Sequence, residues 1–299
     1  MLILILKKNT IKYEYALEWA TEKPKIGITY VNLVSGMYFA GVDVGSLATK
    51  SCIIDASNNL LTYAIKKTKA DMAEVGKEAL KECLRSAGLT FSDISYIVAT
   101  GYGGNVALQA FADEKITEIT CHSRGARFFF PKCRTVIDVG GQDSKVIKLN
   151  DAGRILKFAM NDKCAAGTGR FLEVMAGVLG VKLEEMGELS LKSESKVQIT
   201  STCTVFAESE VISLIASGKR SVDIIAGLHD AIARRVGGLV KQIGAEDDVV
   251  ITGGVAKNIG VVKALEREIA HKIYTPPEPQ IIGALGAAIM ARERRLKQI

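Results

Sequence analysis

Short aliphatic runs and longer stretches of helical periodicity alternate along this chain. The aliphatic runs have the length and composition of buried strands, and they occur at about 38–44, 51–55, 96–100, 135–139, 146–150 and 249–252. The helical stretches repeat apolar residues at three- and four-residue intervals, at about 70–88, 168–180, 205–217, 221–243 and 280–289. Strands that alternate with helices predict an α/β fold.

One phrase within this pattern occurs twice without a gap. An Asp-x-Gly-x-x-x-x-Lys sequence runs from Asp43 to Lys50 and again from Asp138 to Lys145. Each copy lies between two aliphatic runs, which predicts a strand, a glycine turn and a returning strand in each half of the chain. Glycine lets backbone N–H groups approach an anion closely, and a neighbouring Asp can hold a metal ion through water. Two such hairpins that face each other predict a clamp for a Mg-nucleotide.

A third glycine turn follows the aliphatic run at 249–252. Gly253, Gly254 and Val255 offer an open backbone to a base or a ribose. Taken alone, this turn fits the start of a helix equally well. Together with the two hairpins, it predicts the third part of a nucleotide site.

Composition excludes some classes of function. At 299 residues the chain has room for about two domains. Its net charge of +6 is scattered instead of forming a basic stripe with aromatic residues, which argues against nucleic acid as a partner. No apolar run approaches the ~20 residues that span a bilayer, and the opening run is too short for a secretory signal. We therefore expect a cytoplasmic protein whose six cysteines are thiols or metal ligands.

The pattern divides the chain into four parts. Residues 1–36 fit the rest poorly, and we interpret them either as an appendage before Met37 or as an extra edge strand at Leu2 to Leu6. The two predicted lobes are residues 37–134 and 135–280, and the second contains Cys164 and Cys203. Residues 281–299 are predicted to form a helix that packs back on the first lobe.

Cys164 and Cys203 have a setting that the other cysteines lack. Each lies in a turn of small or polar residues just before a predicted helix, where the helix dipole favours a thiolate. A [4Fe–4S] cluster needs four thiolates, which a two-fold dimer can supply from two per chain. The spacing by itself fits buried structural cysteines as well, because it contains no CxxC run.

The remaining candidates have simpler interpretations. Cys52 and Cys83 are expected in the core. A zinc site at Cys121, His122 and Cys133 would need more ligands than the sequence offers nearby. We place the Phe128 to Phe130 triplet in the core where the halves meet. Glu208 and Glu210 are either acids near a cluster or favourable charges in a first helical turn.

The two hairpins and the glycine turn, in this order, resemble the actin-like ATPase superfamily, which includes actin, sugar kinases and heat-shock chaperone ATPases. The resemblance implies an actin-like (ribonuclease H-like) fold with two duplicated lobes around a nucleotide cleft. It also implies the residues that bind ATP or ADP. The first phosphate loop runs from Asp43 to Lys50, the second runs from Asp138 to Asp143, and Gly253 to Val255 lie under the adenosine. The residues implied to bind the nucleotide are Gly45, Ser46, Leu47, Ala48, Thr49, Lys50, Gly140, Gly141, Gly253, Gly254 and Val255.

Two longer phrases are more specific. The segments at 161–171 and 201–210, which contain Cys164 and Cys203, resemble the signatures of the activator ATPases of (R)-2-hydroxyacyl-CoA dehydratases. These ATPases are related to the ATP-hydrolysing subunits of benzoyl-CoA reductase. The resemblance runs from about Phe39 to about Ala291. It implies a homodimer that shares one [4Fe–4S] cluster held by Cys164 and Cys203 of each subunit.

The resemblance implies an ATP-driven one-electron donor. A ferredoxin or flavodoxin would reduce the cluster, and a dehydratase with its own iron–sulfur centre would receive the electron. Asp43, Asp138 and Asp143 would manage Mg²⁺ and water, and Gln142 would orient the attacking water. Three alternatives remain open: a benzoyl-CoA-reductase-type or double-cubane reductase as partner, a small-molecule kinase, and a regulatory ATPase without iron.

Overall fold

The structure, a computed structural model, describes residues 36–195, 197–200 and 203–299. The expectations for residues 1–35, including the edge strand at Leu2 to Leu6, lie outside this range.

Each half of the chain contributes one five-stranded mixed sheet. The first sheet comprises β1 (Tyr38–Val44), β2 (Ala48–Asp55), β3 (Leu60–Lys67), β4 (Ile94–Thr100) and β5 (Glu114–Lys115), in the order β3-β2-β1-β4-β5. The second comprises β6 (Thr135–Val139), β7 (Ser144–Leu149), β8 (Ile155–Asn161), β9 (Val249–Thr252) and β10 (Ile273–Tyr274), in the order β10-β9-β6-β7-β8.

The two sheets have the same topology. In each, the central strand pairs antiparallel with the next strand of the chain and parallel with a strand that follows a helix. Both predicted hairpins are therefore confirmed. Their register places Asp43 opposite Lys50 and Asp138 opposite Lys145, so the first and last residues of each repeated phrase are neighbours across a hairpin.

Nine α-helices connect and cover the sheets in the part of the chain that the structure describes. They are α1 (Met72–Ala87), α2 (Gly104–Ala110), α3 (Glu118–Phe129), α4 (Gly169–Leu179), α5 (Met186–Leu191), α6 (Thr204–Ala216), α7 (Ser221–Ile243), α8 (Ile259–Ile269) and α9 (Ile282–Leu296). The helices predicted from periodicity correspond to α1, α4, α6, α7 and α9. Gly88 ends α1 in the left-handed conformation, with φ of +70°, as a C-terminal glycine should.

Helix α9 packs against the first sheet and against α3 with its backbone very close to both. A Cβ on Gly41 of β1 would overlap the Ala284 carbonyl, and one on Gly286 would overlap the Cys121 carbonyl. The small residues of α9 therefore permit this approach. Ile282, at the start of α9, also packs with Val136 of the second sheet, so residues 36–299 form one compact unit.

The Phe128 to Phe130 triplet lies at the end of α3 and packs between the core clusters of the two sheets, as expected. Other features differ from the sequence-based expectations. Helix α3 itself was not predicted. Glu208 and Glu210 lie beyond the first turn of α6, so the interpretation as first-turn charges is wrong. Glu210 instead accepts hydrogen bonds from the backbone N–H and the hydroxyl of Thr200. Among the described residues, no helix has the length and apolarity to cross a membrane.

Candidate functional site

The first hairpin carries a buried ion pair. Lys50 Nζ lies 2.7 Å from Asp43 Oδ2, and the side chains of both residues are largely buried. The pair exists because residues at opposite ends of a hairpin come into register, as described above. Asp43 also lies beside the start of α9, where the partial positive charge of the helix favours a carboxylate.

The second hairpin repeats this pair and adds two carboxylates. Lys145 Nζ lies 2.7 Å from Asp143 Oδ1, 3.3 Å from Glu118 Oε2 and 3.4 Å from Asp138 Oδ2. Burial alone would lower the pKa of Lys145, but the charges of Asp138, Glu118 and Asp143 outweigh it and raise that pKa above its ordinary range. Lys145 is therefore a fixed cation at the floor of the cleft.

Asp138 is held by a network that crosses between the two halves. Thr252 of β9 donates a hydrogen bond of 3.0 Å to Asp138 Oδ1, and His122 Nδ1 lies 3.0 Å from the Thr252 hydroxyl. Burial would raise the pKa of Asp138, but the His122 ring, Lys145 and the Thr252 hydroxyl together hold it below its usual value. Asp138 is thus a carboxylate at neutral pH.

Glu118 has the opposite tendency. Burial raises the pKa of Glu118 above its usual value and, although Lys145 lowers it, the nearby Asp143 carboxylate raises it further. Glu118 is the first residue of α3, and His122 lies one turn further along the same helix. Helix α3 therefore directs two titratable side chains toward the second hairpin.

A cleft of about 570 Å³ lies where the two hairpins meet. The tips touch directly, because a Cβ on Gly141 would stand 2.7 Å from the Leu47 side chain. Most of the predicted nucleotide residues line this cleft: Asp43, Gly45, Ser46, Leu47, Ala48, Lys50, Asp138, Gly140, Gly141, Asp143, Gly253, Gly254 and Val255. The size suits a small-molecule ligand.

Two predicted residues are placed elsewhere. Gln142 is exposed at the tip of the second hairpin and does not line the cleft. Thr49 is fully buried, and its hydroxyl lies 2.9 Å from that of Thr68, which donates a hydrogen bond to the Gly45 carbonyl. Thr49 therefore supports the shape of the first hairpin from behind.

The glycine turn after β9 adopts a conformation that requires glycine. Gly253 has φ of +87°, and a Cβ there would meet the Val139 carbonyl and the Asp138 carboxylate. Its N–H donates to the Pro279 carbonyl at 2.9 Å. Val255 follows in a short 3₁₀ turn, Gly254–Lys257, that opens onto the cleft.

Several lining residues were not singled out from the sequence. They include Tyr102, Glu118, His122, Lys145, Glu173 and Gln280. The sequence does indicate a role for Lys145, because it is the counterpart of Lys50 in the repeated phrase. In the sequence His122 stands beside Cys121, which suggests only a metal ligand, and Glu118 carries no local signal beyond its place at a helix start.

The cysteines fall into two groups, and none of the six, all within the described residues, forms a disulfide. Cys52, Cys83, Cys121 and Cys133 are buried, and burial raises the pKa of Cys83, Cys121 and Cys133 to about 12. Cys164 and Cys203 are only half-buried. Cys203 is the N-cap of α6, whereas Cys164 lies in the loop before α4, five residues from its first residue.

The chain matches known proteins over most of its length. A protein-family model, the BadF/BadG/BcrA/BcrD ATPase family, matches residues 40–291. The chain belongs to this ATPase family.

Individual members of the family are similar along almost their whole length. The 2-hydroxyisocaproyl-CoA dehydratase activator of Clostridioides difficile is 47% identical, over 85% of this chain and 95% of that protein. The (R)-2-hydroxyglutaryl-CoA dehydratase activating ATPase of Acidaminococcus fermentans is 46% identical, over 87% and 99%. A solved structure of the activator of the 2-hydroxyisocaproyl-CoA dehydratase from Clostridium difficile with bound ADPNP has a TM-score of 0.83 at 45% identity, covering 88% of this chain and 97% of that one.

The fold extends to more distant proteins. A ROK-family glucokinase from Streptomyces griseus has a TM-score of 0.54 at 14% identity, covering 86% of this chain and 99% of the kinase. At this identity the likeness shows the fold alone. The predicted α/β, actin-like architecture of two duplicated halves around a cleft is confirmed.

Proposed function

We propose that this ATPase is an ATP-driven one-electron donor that activates a 2-hydroxyacyl-CoA dehydratase. The proposal rests on its similarity to dehydratase activators together with one structural connection between the cleft and Cys164. Gly140 and Gly141 of the second hairpin accept hydrogen bonds of 2.9 Å from the N–H groups of Gly169 and Arg170, the first residues of α4. The loop that carries Cys164 leads directly into this helix.

The nucleotide would bind between the hairpins. Backbone N–H groups of both glycine turns and Lys50 would hold the phosphates, while Gly253 to Val255 would lie under the adenosine. Four carboxylates face two lysines at the floor of the cleft: Asp43, Glu118, Asp138 and Asp143 against Lys50 and Lys145. The excess negative charge suits Mg²⁺, and Asp43, Asp138 and Asp143 are the residues that would hold it through water.

A [4Fe–4S] cluster suits Cys164 and Cys203 of two subunits. These two thiols are half-buried, whereas the other four are buried in the cores. Cys164 and Cys203 of two copies would together supply the four thiolates that the cluster needs. When bound, the cluster would accept and release single electrons.

The start of α6 supports the homodimer. Val205 and Phe206, directly after Cys203, are 67% and 69% exposed, which is unusual for large apolar side chains on a helix. A second copy that meets this turn would cover them and bring two more thiols. We place the dimer in the cytoplasm, with a ferredoxin or flavodoxin as electron donor.

Binding of ATP would act through the hydrogen bonds between the second hairpin and α4. A shift of Gly140 and Gly141 toward the phosphates carries the start of α4 with it, and hence the Cys164 loop. The nucleotide can drive this change only if it binds the two arrangements with different affinity, and each ~1.4 kcal/mol of difference changes their ratio tenfold.

The test uses protein purified without oxygen. We expect about four irons per dimer in the wild type and in Cys83→Ala, and iron loss in Cys164→Ser and Cys203→Ser with nucleotide binding retained. Wild-type protein should lose its iron to a chelator at different rates with ADP and with ADPNP. Iron retained by Cys203→Ser would contradict the shared ligand set, and equal chelation rates would contradict the coupling.

The same preparation separates the alternatives. If the proposal is right, the protein reduces a 2-hydroxyacyl-CoA dehydratase in an ATP-dependent manner. If its partner is a benzoyl-CoA-reductase-type or double-cubane reductase, that reductase is reduced and the dehydratase is not. A small-molecule kinase would release ADP only with its substrate. A regulatory ATPase would hydrolyse ATP without iron.

A further inference from the structure

Cys164 and Cys203 are held by different elements of the second half. Cys164 lies in the loop between Asn161, the last residue of β8, and Gly169, the first residue of α4. Cys203 is the N-cap of α6 and follows the segment 197–200. The hydrogen bonds of these two segments determine which elements each thiol has to follow when the molecule changes shape.

The second hairpin holds the Cys164 loop on both sides of the cysteine. Before the cysteine, Asn161 pairs with Ser144 of β7, and the Asn161 amide donates to the Cys164 carbonyl at 2.8 Å. After it, the buried hydroxyl of Ser144 donates to the Gly167 carbonyl at 2.5 Å. Ser144 directly follows Asp143, which lines the cleft. The Cys164 loop is therefore attached to the wall of the nucleotide cleft.

Helices α6 and α7 hold the segment before Cys203. Glu210 of α6 accepts hydrogen bonds of 2.9 Å from the N–H and from the hydroxyl of Thr200, and Arg234 of α7 donates one of 2.9 Å to the Ile199 carbonyl. Among the described residues, the hydrogen bonds of 197–200 and 203 to other elements all go to these two helices. The buried faces of both helices belong to the core of the second half, and a close-packed core resists deformation.

We propose that Ser144 makes the position of Cys164 depend on the bound nucleotide. Glu210 and Arg234 keep Cys203 in one place, whichever nucleotide is bound. The inference rests on the proposed function, because these are the thiols that would bind the cluster. One thiol of each subunit then follows the hairpin while the other stays fixed, so that the nucleotide changes the geometry of the ligand set. Ser144, Glu210 and Arg234 are positioning residues, because they act through the two cysteines.

Thiol labelling of the iron-free full chain tests the difference between the two cysteines. Iodoacetamide is added in the presence of ADP or of ADPNP, and mass spectrometry follows the modification of each cysteine separately. We expect the labelling rate of Cys164 to change about fivefold between the nucleotides, the effect of about one hydrogen bond made or lost. The rate of Cys203 should be the same with both. Cys83 is the control, because it is fully buried and should react with neither nucleotide.

Ser144→Ala removes the bond between the hairpin and the Cys164 loop. The variant should lose most of the nucleotide-dependent difference at Cys164 and leave the labelling of Cys203 unchanged. The matched control is Ser190→Ala, which removes a similar buried bond, from the Ser190 hydroxyl to the Gly187 carbonyl within α5. An unchanged nucleotide dependence in Ser144→Ala would overturn the role of this residue.

Arg234→Met tests the hydrogen bond to the Cys203 segment apart from the charge. The variant keeps the apolar stem of the side chain but loses the bond to Ile199, so the labelling of Cys203 should rise about fivefold with either nucleotide. Arg235→Met is the control. It removes a positive charge at the next position, which within the described residues makes no hydrogen bond to 197–200. Equal effects of the two variants would assign the result to charge and overturn the role of Arg234.

Two variants of Glu210 test the other contact. Glu210→Ala removes both bonds to Thr200 and should raise the labelling of Cys203 with either nucleotide. Glu210→Gln keeps an amide oxygen that accepts one of these bonds, so it should restore part of the protection. The control is Glu208→Ala, two residues earlier on the same helix. An effect as large as that of Glu210→Ala would contradict a specific role of Glu210.

The rates in the wild type decide the inference as a whole. Labelling of Cys203 that depends on the nucleotide as strongly as that of Cys164 would overturn it, and so would equal labelling of Cys164 with ADP and ADPNP. The midpoint of thermal unfolding is measured for every variant, and if Ser144→Ala does not fold, the wild-type rates remain the test. Failure of the wild type to bind iron would instead contradict the proposed function, because the labelling needs no cluster.

Discussion

Lys145 is a fully buried lysine with three carboxylates as neighbours. Its counterpart Lys50 has one such neighbour within the same distance, Asp43, and is more accessible. The difference arises from α3, which brings Glu118 to the second hairpin only, and from Asp143, which stands where the first copy of the phrase has Ala48. The floor of the cleft is therefore asymmetric in charge although the sequence phrase is repeated.

Replacement of this lysine should be costly. We expect Lys145→Met to lower the free energy of unfolding by about 3–5 kcal/mol, because the carboxylates lose their buried partner. Added Mg²⁺ should restore part of the loss by binding the folded state. The measurement is urea unfolding with and without Mg²⁺. Lys263→Met is the control, since it removes an exposed i,i+3 pair that contributes at most about 1 kcal/mol. Equal losses in the two variants would show that the carboxylates do not depend on Lys145.

At the scale of elements, α7 and α8 enclose the second histidine of the described chain. His229 lies on α7, is fully buried, and its Nε2 is 3.2 Å from the Asn258 amide at the start of α8. Its Nδ1 has no hydrogen-bond partner among the described residues. Burial lowers the pKa of His229 to about 4, because the charged ring would lose its water there.

This burial predicts acid sensitivity of the second half. The unfolded chain binds the proton near pH 6.5 and the folded chain only near pH 4, so the stabilisation is complete above pH 6.5 and is lost as the pH falls toward 4. Between pH 8 and pH 5 we expect a loss of about 2 kcal/mol in the free energy of unfolding. Between pH 8 and pH 5, the free energy of unfolding of His229→Asn should fall by about 2 kcal/mol less than that of the wild type. Denaturant unfolding at both pH values is the measurement, and parallel losses in the two proteins would contradict the assignment to His229.

At the scale of the whole molecule, the described residues 36–299 form two similar sheets joined by α3 and α9. Helix α9 follows the second sheet in the chain but packs on the first, so both ends of the family region, residues 40–291, lie at the first sheet: one in β1 and the other in the helix that covers it. We propose that residues 37–134 and 135–280 are two lobes that close over the cleft. Residues 281–299 would belong with the first lobe.

This arrangement predicts that the first 36 residues are dispensable for turnover. β1 begins at Tyr38, and among the described residues those that line the cleft are numbered 43 and above. A chain that starts at Met37 should therefore bind ADP and hydrolyse ATP at close to the rate of the full chain. Steady-state ATPase assays and ADP titration of both chains give the comparison. A large loss of turnover in a soluble, folded short chain would show that residues 1–36 complete the site.

The sequence by itself determined five of the helices and both hairpins. Helical periodicity located α1, α4, α6, α7 and α9, since an amphipathic face is a local property of the sequence. The repeated phrase located both hairpins, because strand, glycine turn and strand are also local. Strand alternation even separates Thr49, which is buried behind the hairpin, from Ala48 and Lys50 at the cleft, although we had placed all three at the phosphates.

Only the tertiary structure decided which side chains meet at the cleft floor. His122 and Thr252 are 130 residues apart, and Glu118 reaches Lys145 from a helix whose position depends on its packing against α9. No local pattern encodes such a contact, because it follows from the path of the chain between the elements. For the same reason the exposure of Gln142 beside the buried Asp143 could not be predicted: both are polar hairpin residues, and the surrounding elements determine which one faces the interior.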